Sequence, residues 1–524
     1  MKIKSLFIEK RKIDNLCKTL ILVFLVCFTK NLFAQKITKG PYLAEPKANS
    51  IVVRWESDSL LAFNVRYGLT KKLSNIKVSS LLGKVSDRYL FEVKLSNLIN
   101  GEKYFYQVIS DTTKSRISYF NTDVNENNPF TFVVTGDSRS HPKIFAEIAK
   151  HINQDEPNLI ISVGDLVRNG GVFQQWEKYF FNVAGNVINH IPFIPSVGDH
   201  EAGEDDGDEG KLFTHFFFPH KNYKKIWFSY NFGNAHFVVL DYRYPYNKEM
   251  IEWFKKDMSK SKMKWNFVYM HRPCYNLGGH RSAWGREIWP ELFTEYNIDI
   301  VFAGHSHLYE RFYPVRPNDK PNSKAVTYIT TGGSGASLYD VGKSTLLAYT
   351  KSIHHYIVVK TVDDMIVLKV YKKDGTILDE ISWNKNSKKF DTLVKSQDEL
   401  DIVGMFTNTI SHQIERLPMA EMPAEYLLEL NPVFYKKNIS FEISLSDNSK
   451  LSYKMETVKD TLKNGEAKNI KLKIFAKGDM IVSKWGEIKP KLKLKVQYHS
   501  NDFSGSITGG EIEYKSYNYT LPKK

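Results

Sequence analysis

The chain contains the segment GHSHLYER at residues 304–311, immediately after an apolar run at residues 298–303. Four other apolar runs also stop at a potential metal ligand, and these are residues 130–135 before Gly136-Asp137, 159–163 before Gly164-Asp165, 193–197 before Gly198-Asp199-His200 and 265–270 before His271. Short apolar runs bounded by turn residues predict buried strands, and ligands of open α/β sheets bind beyond the carboxyl ends of such strands. We therefore expect all five motifs to face one cleft.

The residue types at these strand ends suit a centre that holds two metal ions. Two cations about 3.5–4 Å apart repel each other, and a carboxylate that bridges them offsets this repulsion. Imidazole ligands complete the coordination without adding charge, so the centre keeps its attraction for a phosphate dianion. Such a centre activates water and aligns it for in-line attack on phosphorus. The motifs therefore favour hydrolysis of a phosphoester.

The five motifs resemble, in order and spacing, those of the calcineurin-like metallophosphoesterases, and most closely those of the purple acid phosphatases. The resemblance covers residues 36–385, and GHSHLYER is its most specific part. It implies a multi-domain chain in which an α/β core, with layers in the order αββα, occupies residues 130–385. A fibronectin-III-like all-β sandwich at residues 36–122 would precede this core, and short alternating apolar runs in those residues also predict antiparallel strands.

The resemblance also assigns metal ligands and substrate contacts. It implies a first metal held by Asp137, Asp165 and His307 and a second held by Asp165, Asp199, His271 and His305, with Asp165 as the bridge. The implied ions are iron paired with zinc or manganese. His200 matches the family histidine that contacts phosphate and protonates the leaving group, and His280 lies where a substrate-side histidine is expected.

Three positions depart from the family pattern. Arg168 replaces the tyrosine ligand behind the purple colour, Arg139 stands where the wider superfamily has a histidine, and Asp199 replaces the usual asparagine. The first metal therefore lacks one protein ligand, and a centre that binds only one metal, with feeble or no activity, stays an alternative. The two arginines either bind phosphate oxygens through their planar guanidinium groups or form ion pairs with Asp199, Glu201 or the acidic loop at residues 204–209.

The beginning of the chain predicts export. Residues 2–18 are rich in lysine and arginine, residues 20–28 are apolar, and cleavage after Ala34 would release a signal peptide of residues 1–34. This apolar run is too short to cross a bilayer, which needs about 20 residues, so we expect a secreted or periplasmic protein without a transmembrane anchor. Only Cys274 would remain in the mature chain, and we expect it to be a buried packing residue.

Composition and patterning limit the partners and the remaining domains. The net charge of +15 attracts anionic substrates, but no cluster of lysine and arginine with interleaved aromatic residues marks a nucleic-acid groove. Residues 386–400 are predicted to be a linker, and alternating runs in residues 401–524 predict a further β-rich, sandwich-like domain. That domain either contacts a surface glycan or another protein, or simply supports the core.

The sequence therefore favours an exported metal-dependent phosphomonoesterase, similar to acid phosphatases, that acts on a phosphorylated small molecule. Two alternatives stay open: a phosphodiesterase acting on nucleotides or lipid head groups, and a non-catalytic phosphate-binding relative. A cleft closed by residues 203–210 and 275–286 would favour monoesters, whereas an open cleft would favour diesters. If Arg139 and Arg168 occupied the metal positions, hydrolysis would fail.

Overall fold

The computed structural model describes residues 36–122, 128–203, 207–280, 282–320, 322–385, 394–414, 423–477 and 492–508. The predicted signal peptide at residues 1–34 lies outside the described residues, as do residues 204–206 of the acidic loop and the last predicted run of the chain at residues 512–519. Among the described residues, no helix has the length and apolar character needed to span a bilayer.

Residues 36–122 form two antiparallel sheets that share one apolar core. Their strands are β1 Ile37–Lys47, β2 Ser50–Ser57, β3 Asn64–Gly68, β4 Asn75–Val78, β5 Ser80–Val85, β6 Arg88–Ser96, β7 Lys103–Ile109 and β8 Ser118–Asn121. The strand orders are β1-β2-β6-β5 and β4-β3-β7-β8. In β7 the buried side chains alternate with more exposed ones, as expected for a strand with one face on a core. Between the sheets, Trp55 of β2 packs against Phe63 and Phe91 with ring centroids 5.7 and 5.9 Å away.

The N-terminal sheets dock on the residues that follow them through buried polar contacts to backbone carbonyls. Tyr42 donates its hydroxyl to the carbonyl of Phe216 at 2.7 Å, and Arg54 Nη1 donates to the carbonyl of Phe217 at 2.7 Å. Tyr106 donates in the same way to the carbonyl of Asn189. Because a buried carbonyl without a partner is costly, these contacts fix the orientation of the N-terminal sheets against the central region.

The central region alternates strands with helices. Its strands are β9 Phe130–Thr135, β10 Leu159–Ser162, β11 Phe193–Pro195, β12 Phe228–Phe232, β13 Ala235–Val239, β14 Trp265–Met270, β15 Ile300–Ala303, β16 Tyr309–Phe312, β17 Val315–Arg316, β18 Thr327–Thr331, β19 Lys343–Ser344, β20 Leu347–Lys351, β21 His355–Val362, β22 Met365–Lys372 and β23 Ile377–Asn384. Its helices are α1 Pro142–Asp155, α2 Phe173–Gln175, α3 Asn182–Ile188, α4 Asp199–Ala202, α5 Lys211–Phe217, α6 Lys248–Met258 and α7 Trp289–Glu295, with a π-helical segment at Trp176–Phe181.

The strands that carry the five motifs belong to two different sheets. One sheet has the order β11-β10-β9-β21-β22-β23, and the other has the order β12-β13-β14-β15-β18-β16-β20. β10 is parallel to both β9 and β11, and β14 is parallel to β15. The two sheets pack face to face through Phe132 of β9, whose ring centroid lies 5.2 Å from that of Phe237 and 5.1 Å from that of Phe267. The motifs therefore approach the site from two sheets.

The two longer helices of the central region have the apolar stripes that their sequences predict. In α1 the buried side chains are Phe145, Ile148, Ala149 and Ile152, and in α6 they are Met250, Ile251, Phe254 and Met258. This spacing places one face of each helix on the core, so these residues are packing residues. Cys274 is also buried, and burial raises the pKa of its thiol.

The C-terminal part contains one long helix and two sheets. Its elements are β24 Lys395–Ser396, α8 Gln397–Gln413, β25 Ala424–Leu430, β26 Ile439–Leu445, α9 Asp447–Lys450, β27 Tyr453–Met455, β28 Val458–Leu462, β29 Lys468–Ala476, β30 Leu494–His499 and β31 Ser504–Thr508. The strand orders are β19-β31-β30-β26-β28 and β25-β29-β27. The short strand β19 of the central region thus continues a C-terminal sheet.

The carboxyl end of the predicted linker at residues 386–400 contains a short strand and the beginning of a helix. β24 pairs with β17, and α8 begins at Gln397 with Ser396 as its N-cap, whose hydroxyl accepts a hydrogen bond from the backbone of Glu399 at 3.2 Å. The predicted C-terminal domain at residues 401–524 also did not include a helix. Both differences have one cause, because α8 packs its apolar face against the core and replaces a flexible connection with an ordered one.

Candidate metal and phosphate site

Three potential ligands lie at turns with a left-handed backbone. Asp137 follows β9 with φ 53°, Asp165 follows β10 with φ 57°, and His305 follows β15 with φ 67°. A residue other than glycine in this region costs about 1–3 kcal/mol, and such strain clusters at functional sites. The backbone is therefore held in an unfavourable conformation at the positions where ligands are predicted.

The glycines next to these residues make room for the neighbouring ligand. A Cβ atom on Gly198 would lie 2.4 Å from Asp165 Oδ1, and one on Gly304 would lie 2.5 Å from Asp137 Oδ2. These distances are far below van der Waals contact, so a larger side chain at either position would displace a carboxylate. The absence of a side chain at these glycines thus leaves room for the carboxylates of the predicted ligands.

Asp199, His271 and His305 form the first cluster of potential ligands. One ligand atom from each lies within 4.8 Å of the other two. His271 Nδ1 donates to the carbonyl of Val163 at 2.8 Å, which turns Nε2 toward Asp165 Oδ1 at 3.4 Å and Asp199 Oδ2 at 3.8 Å. This Nε2 atom is buried and has no hydrogen-bond partner among the described residues. A buried nitrogen that faces two carboxylates and is oriented by a carbonyl fits a metal ligand.

Asp137 and Asp165 form a second cluster, which His271 also joins. The resemblance places His307 in this cluster, and its Nε2 atom lies 3.3 Å from Asp137 Oδ1 while its Nδ1 atom donates to the carbonyl of Ser337 at 2.6 Å. Burial raises the pKa of Asp137 well above its ordinary value, and Asp165 raises it further. Asp137 Oδ1 also lacks a hydrogen-bond partner among the described residues, as expected for a position that needs a cation.

Arg139 lies between the two groups that the resemblance assigns to the first metal. Its Nε atom donates to Asp165 Oδ2 at 3.0 Å, and its Nη2 atom donates to His307 Nε2 at 3.3 Å. Burial lowers the pKa of His307, and Arg139 lowers it further, to about 3, so this imidazole is neutral near pH 7. Of the two predicted interpretations of Arg139, the structure shows the ion pair, and its partner is Asp165 instead of Asp199, Glu201 or the acidic loop.

Arg168 does not place its side chain at the clusters. The residue is exposed, and the structure assigns its side chain no hydrogen bond or ion pair with the described residues. Its backbone carbonyl instead accepts a hydrogen bond from His200 Nδ1 at 2.7 Å. His200 Nε2 then points toward Asp165 Oδ2, 3.8 Å away. The backbone carbonyl of Arg168 thus orients the ring of His200. The sequence did not predict this contact.

His280 reaches the site from the segment after Cys274. Its ring centroid lies 5.3 Å from that of His305, and its Nε2 atom is 2.6 Å from the hydroxyl of Tyr339. Tyr339 also stacks on His307 with centroids 4.3 Å apart. The sequence analysis did not name Tyr339, whose signal is an aromatic residue in a segment rich in glycine and serine.

Arg272 is a second functional candidate that the sequence analysis did not name. Its Nε atom donates to Asp199 Oδ1 at 2.9 Å and its Nη2 atom to Asp199 Oδ2 at 3.1 Å, which is a bidentate pair. Burial opposes ionisation of Asp199, but His271, His305 and Arg272 hold the pKa of this carboxyl below its ordinary value. The signal available in the sequence was an arginine directly after the ligand His271.

Glu201 lies beneath the turns that carry the predicted ligands and pairs with neither Arg139 nor Arg168 in the structure. Its side chain is fully buried. Its carboxyl oxygens accept hydrogen bonds from the backbone of Asp165, Leu166, Val167 and Gly198 at 2.8–3.2 Å. Glu201 therefore ties together the turns that present two of the predicted ligands.

A cleft of about 960 Å³ opens beside His305. Arg272 and His280 line it near the clusters, and its wall is aromatic at Tyr242 and Trp284. Residues 202, 203 and 209 lie on one side, residues 282–285 on another, and Asn408 of α8 completes the lining. Cationic and aromatic side chains therefore line the same cleft as His305, one of the predicted metal ligands.

Comparison with known proteins identifies the central region. Residues 130–309 match the model of the calcineurin-like phosphoesterase family, and all six predicted metal ligands lie within this match. Residues 130–309 are a calcineurin-like phosphoesterase domain. The family assignment predicted from the sequence is thereby confirmed.

Curated relatives of this phosphoesterase domain include purple acid phosphatases. A phosphoenolpyruvate phosphatase of Allium cepa is 26% identical over 283 residues, which cover 47% of this chain and 57% of that protein. A probable inactive purple acid phosphatase 24 of Arabidopsis thaliana is 24% identical over 283 residues, covering 47% and 44%. The chain thus spans about half the length of the curated relatives it matches.

A solved structure supports the fold of the phosphoesterase domain. The purple acid phosphatase PPD1 from yellow lupin (Lupinus luteus) seeds superposes with a TM-score of 0.59 at 19% sequence identity. The superposition covers 68% of this chain and 76% of that one. At this identity the similarity shows the fold, and the activity must be argued from the residues of the site.

Proposed function

We propose that the protein is an exported metal-dependent phosphoesterase that hydrolyses phosphate monoesters. The observation that carries the proposal is that His271 belongs both to the group with Asp199 and His305 and to the group with Asp137 and Asp165. Its buried Nε2 atom lies 3.4 Å from Asp165 Oδ1 and 3.8 Å from Asp199 Oδ2 and lacks a hydrogen-bond partner among the described residues. Two acidic and two imidazole ligands around one buried point suit iron, zinc or manganese. A metal bound there would supply Lewis acidity that polarises the phosphoryl group and lowers the pKa of water.

The protein's own residues would bind and orient the phosphate. Arg272 lies at the wall of the cleft and presents a guanidinium group, whose fork geometry matches two phosphate oxygens. His280 lies on the same wall, where a hydrogen bond to Tyr339 orients its ring. Both side chains can contact substrate without leaving the cleft.

His200 is the proposed proton donor to the leaving group. Since its Nδ1 atom donates to the carbonyl of Arg168, its Nε2 atom is the one that gains or loses a proton. A protonated imidazole placed beside a departing alkoxide lowers the barrier by general acid catalysis, typically about 10²- to 10⁴-fold. The Oδ2 atom of Asp165 lies 3.8 Å from this Nε2 atom.

The rim of the cleft supports monoesters over diesters. Both segments expected to form such a rim contribute, through residues 203 and 209 on one side and 282–285 on the other. A substrate with one ester group would place that group in the aromatic wall formed by Tyr242 and Trp284. Monoester hydrolysis is therefore the activity that we propose, and the comparison with a diester substrate tests it.

The surrounding parts of the chain have proposed roles as well. We assign the two antiparallel sheets of residues 36–122 to a fibronectin-III-like support domain and the central region to the αββα layering of its family. Residues 1–34 would direct export to the periplasm or the medium. The C-terminal sheets would support α8 against the cleft and offer a surface for a glycan or another protein.

The experiment is a metal-reconstituted assay with 4-nitrophenyl phosphate and bis(4-nitrophenyl) phosphate across pH 4–8, with His271→Ala as the matched control. We expect metal-dependent release from the monoester, slower release from the diester, and loss of both in the variant. Activity that persists without metal and in His271→Ala would refute the proposal. Faster hydrolysis of the diester than of the monoester would instead indicate that the protein is a phosphodiesterase.

A non-catalytic phosphate-binding protein is the second candidate, and one observation favours it. Arg139 occupies space between Asp165 and His307 that the resemblance assigns to a metal. A relative at 24% identity is itself named a probable inactive purple acid phosphatase. Binding of inorganic phosphate, measured by calorimetry, together with absent turnover of both substrates would establish this candidate.

A further inference from the structure

We infer that Arg139 takes the place of one metal ion, so that the centre holds a single cation between Asp165, Asp199, His271 and His305. The inference rests on the proposed function, because it concerns how the same site carries positive charge. Asp165 would then bridge an arginine and a metal, where the resemblance implies a bridge between two metals.

The two oxygens of Asp165 face different cationic positions. Its Oδ2 atom accepts from Arg139 Nε at 3.0 Å, whereas its Oδ1 atom lies 3.4 Å from His271 Nε2. The Oδ1 atom also accepts from the backbone of His200 at 3.0 Å, which fixes the plane of the carboxylate. Asp165 Oδ2 therefore has the Arg139 guanidinium group as its partner, and Asp165 Oδ1 faces His271.

The Arg139 side chain is held on several sides. Its side chain is 14% exposed, and its Nη2 atom donates to His307 Nε2 at 3.3 Å. Because His307 Nδ1 donates to the carbonyl of Ser337 and Tyr339 stacks on its ring, Nε2 can only accept, and Arg139 supplies the proton. A metal at this position would have to displace the guanidinium group from both Asp165 and His307.

Among the described residues, no buried guanidinium group lies within the cluster of Asp199, His271 and His305 as Arg139 lies between Asp165 and His307. Arg272, the cation nearest to Asp199, approaches from the cleft side with a side chain that is 44% exposed. It can therefore move to a substrate phosphate without unfolding its surroundings. The buried His271 Nε2 atom, which has no hydrogen-bond partner among the described residues, faces the inside of the cluster.

A second divalent ion would also create a local excess of positive charge. The carboxylates of Asp165 and Asp199 are each already paired with a guanidinium group, that of Arg139 and that of Arg272 respectively. One divalent ion then leaves the cluster with a small positive charge suited to a phosphate dianion. A second ion beside the Arg139 guanidinium would repel it at close range in a poorly hydrated site.

The test measures bound metal directly. Purified full-length protein, stripped of metal and dialysed against Mn²⁺, should contain about one equivalent by mass spectrometry and give the paramagnetic resonance spectrum of isolated Mn²⁺. Arg139→His replaces the guanidinium group with an imidazole ligand and should raise the content to about two equivalents, with a spectrum of spin-coupled ions. Arg168→Ala, which removes an exposed guanidinium group near the same site without adding a ligand, is the matched control and should stay at one.

The outcomes separate this inference from the proposed function. Two equivalents with spin coupling in the unmodified protein would overturn the inference and leave a metal-dependent phosphoesterase standing. No bound metal together with no turnover would overturn both. If Arg139→His does not fold, as judged by circular dichroism, the stoichiometry and spectrum of the unmodified protein decide alone.

Discussion

Glu201 lies directly beneath Asp165 and accepts a hydrogen bond from its backbone nitrogen at 2.9 Å. The same carboxyl group accepts from Gly198, so it joins the turn before Asp165 to the turn before Asp199. The position of two predicted metal ligands thus depends on one buried acidic side chain, which accepts hydrogen bonds from the backbone of both turns.

Replacing Glu201 by glutamine should loosen both ligand turns. The amide nitrogen cannot accept hydrogen bonds, so at least one buried backbone donor loses its partner, at a cost of about 1–3 kcal/mol. We expect metal affinity to fall about 10- to 100-fold, as for other groups that orient metal ligands. Calorimetric titration with Mn²⁺ measures this, with Glu209→Gln, at an exposed position of the cleft rim, as control. Equal affinities in both variants would contradict the role of Glu201.

Arg272→Ala should weaken substrate binding. A guanidinium group that contacts phosphate contributes charge-assisted hydrogen bonds, so we expect KM for 4-nitrophenyl phosphate to rise at least about tenfold. Arg272→Lys should recover only part of this, because an ammonium group cannot form two parallel bonds. Lys224→Ala removes another cation of the cleft and should change KM less than about twofold. An unchanged KM with reduced metal content would instead show that Arg272 positions the predicted metal ligand Asp199 and does not bind the substrate.

Lys39→Met should destabilise the N-terminal sheets. Lys39 Nζ pairs with Glu56 where both side chains are fully buried, and it also lies 3.2 Å from Glu177 Oε1. Removing one partner of such a pair leaves an uncompensated buried charge and costs about 3–5 kcal/mol. The double variant Lys39→Met with Glu56→Leu should recover much of this loss. Urea unfolding followed by tryptophan fluorescence measures both, and equal losses in the single and double variants would contradict the account.

His355 should make stability fall on acidification. Burial lowers its pKa from 6.5 to about 4, and its ring nitrogens bond to Thr331 Oγ1 and to the carbonyl of Ile353. As the pH falls below 6.5 the unfolded chain binds the proton first, so the stability from this group is complete above pH 6.5 and is lost as the pH approaches 4. The full loss corresponds to about 3 kcal/mol.

His355→Gln tests this assignment, because glutamine keeps hydrogen-bonding groups but does not titrate. The free energy of unfolding by urea should fall less between pH 6.5 and pH 4 in this variant than in the unmodified protein. His499→Gln replaces an exposed histidine and should behave like the unmodified protein. A fall of the same size in His355→Gln would show that other groups carry the pH dependence.

The sequence predicted the local elements of the site well. β9 and β14 have the bounds of their apolar runs, because each run ends at a turn or ligand residue that stops the strand. The helical stripes of α1 and α6 also agree with the buried faces. Residues close together in the sequence are enough for these predictions, because buried side chains recur with the repeat of the helix or strand to which they belong.

The relations between distant elements could not be predicted in the same way. The division of the five motif strands between two sheets depends on pairing across long sequence separations. The ion pair of Arg139 with Asp165 depends on a side-chain conformation, and the alternatives considered from the sequence did not include it. In contrast, α8 had detectable signals, namely Ser396 as N-cap with Glu399 three residues later and apolar residues at helical spacing.

The most direct test of a metal-dependent centre is the location of the ion itself. Crystals of the full chain soaked in Mn²⁺, with anomalous diffraction recorded above the manganese edge, should show a peak within about 2.0–2.4 Å of ligand atoms from Asp165, Asp199, His271 and His305. The same experiment on His271→Ala should show no peak there. A map of the unmodified protein without anomalous density among these four residues, at saturating Mn²⁺, would contradict the account.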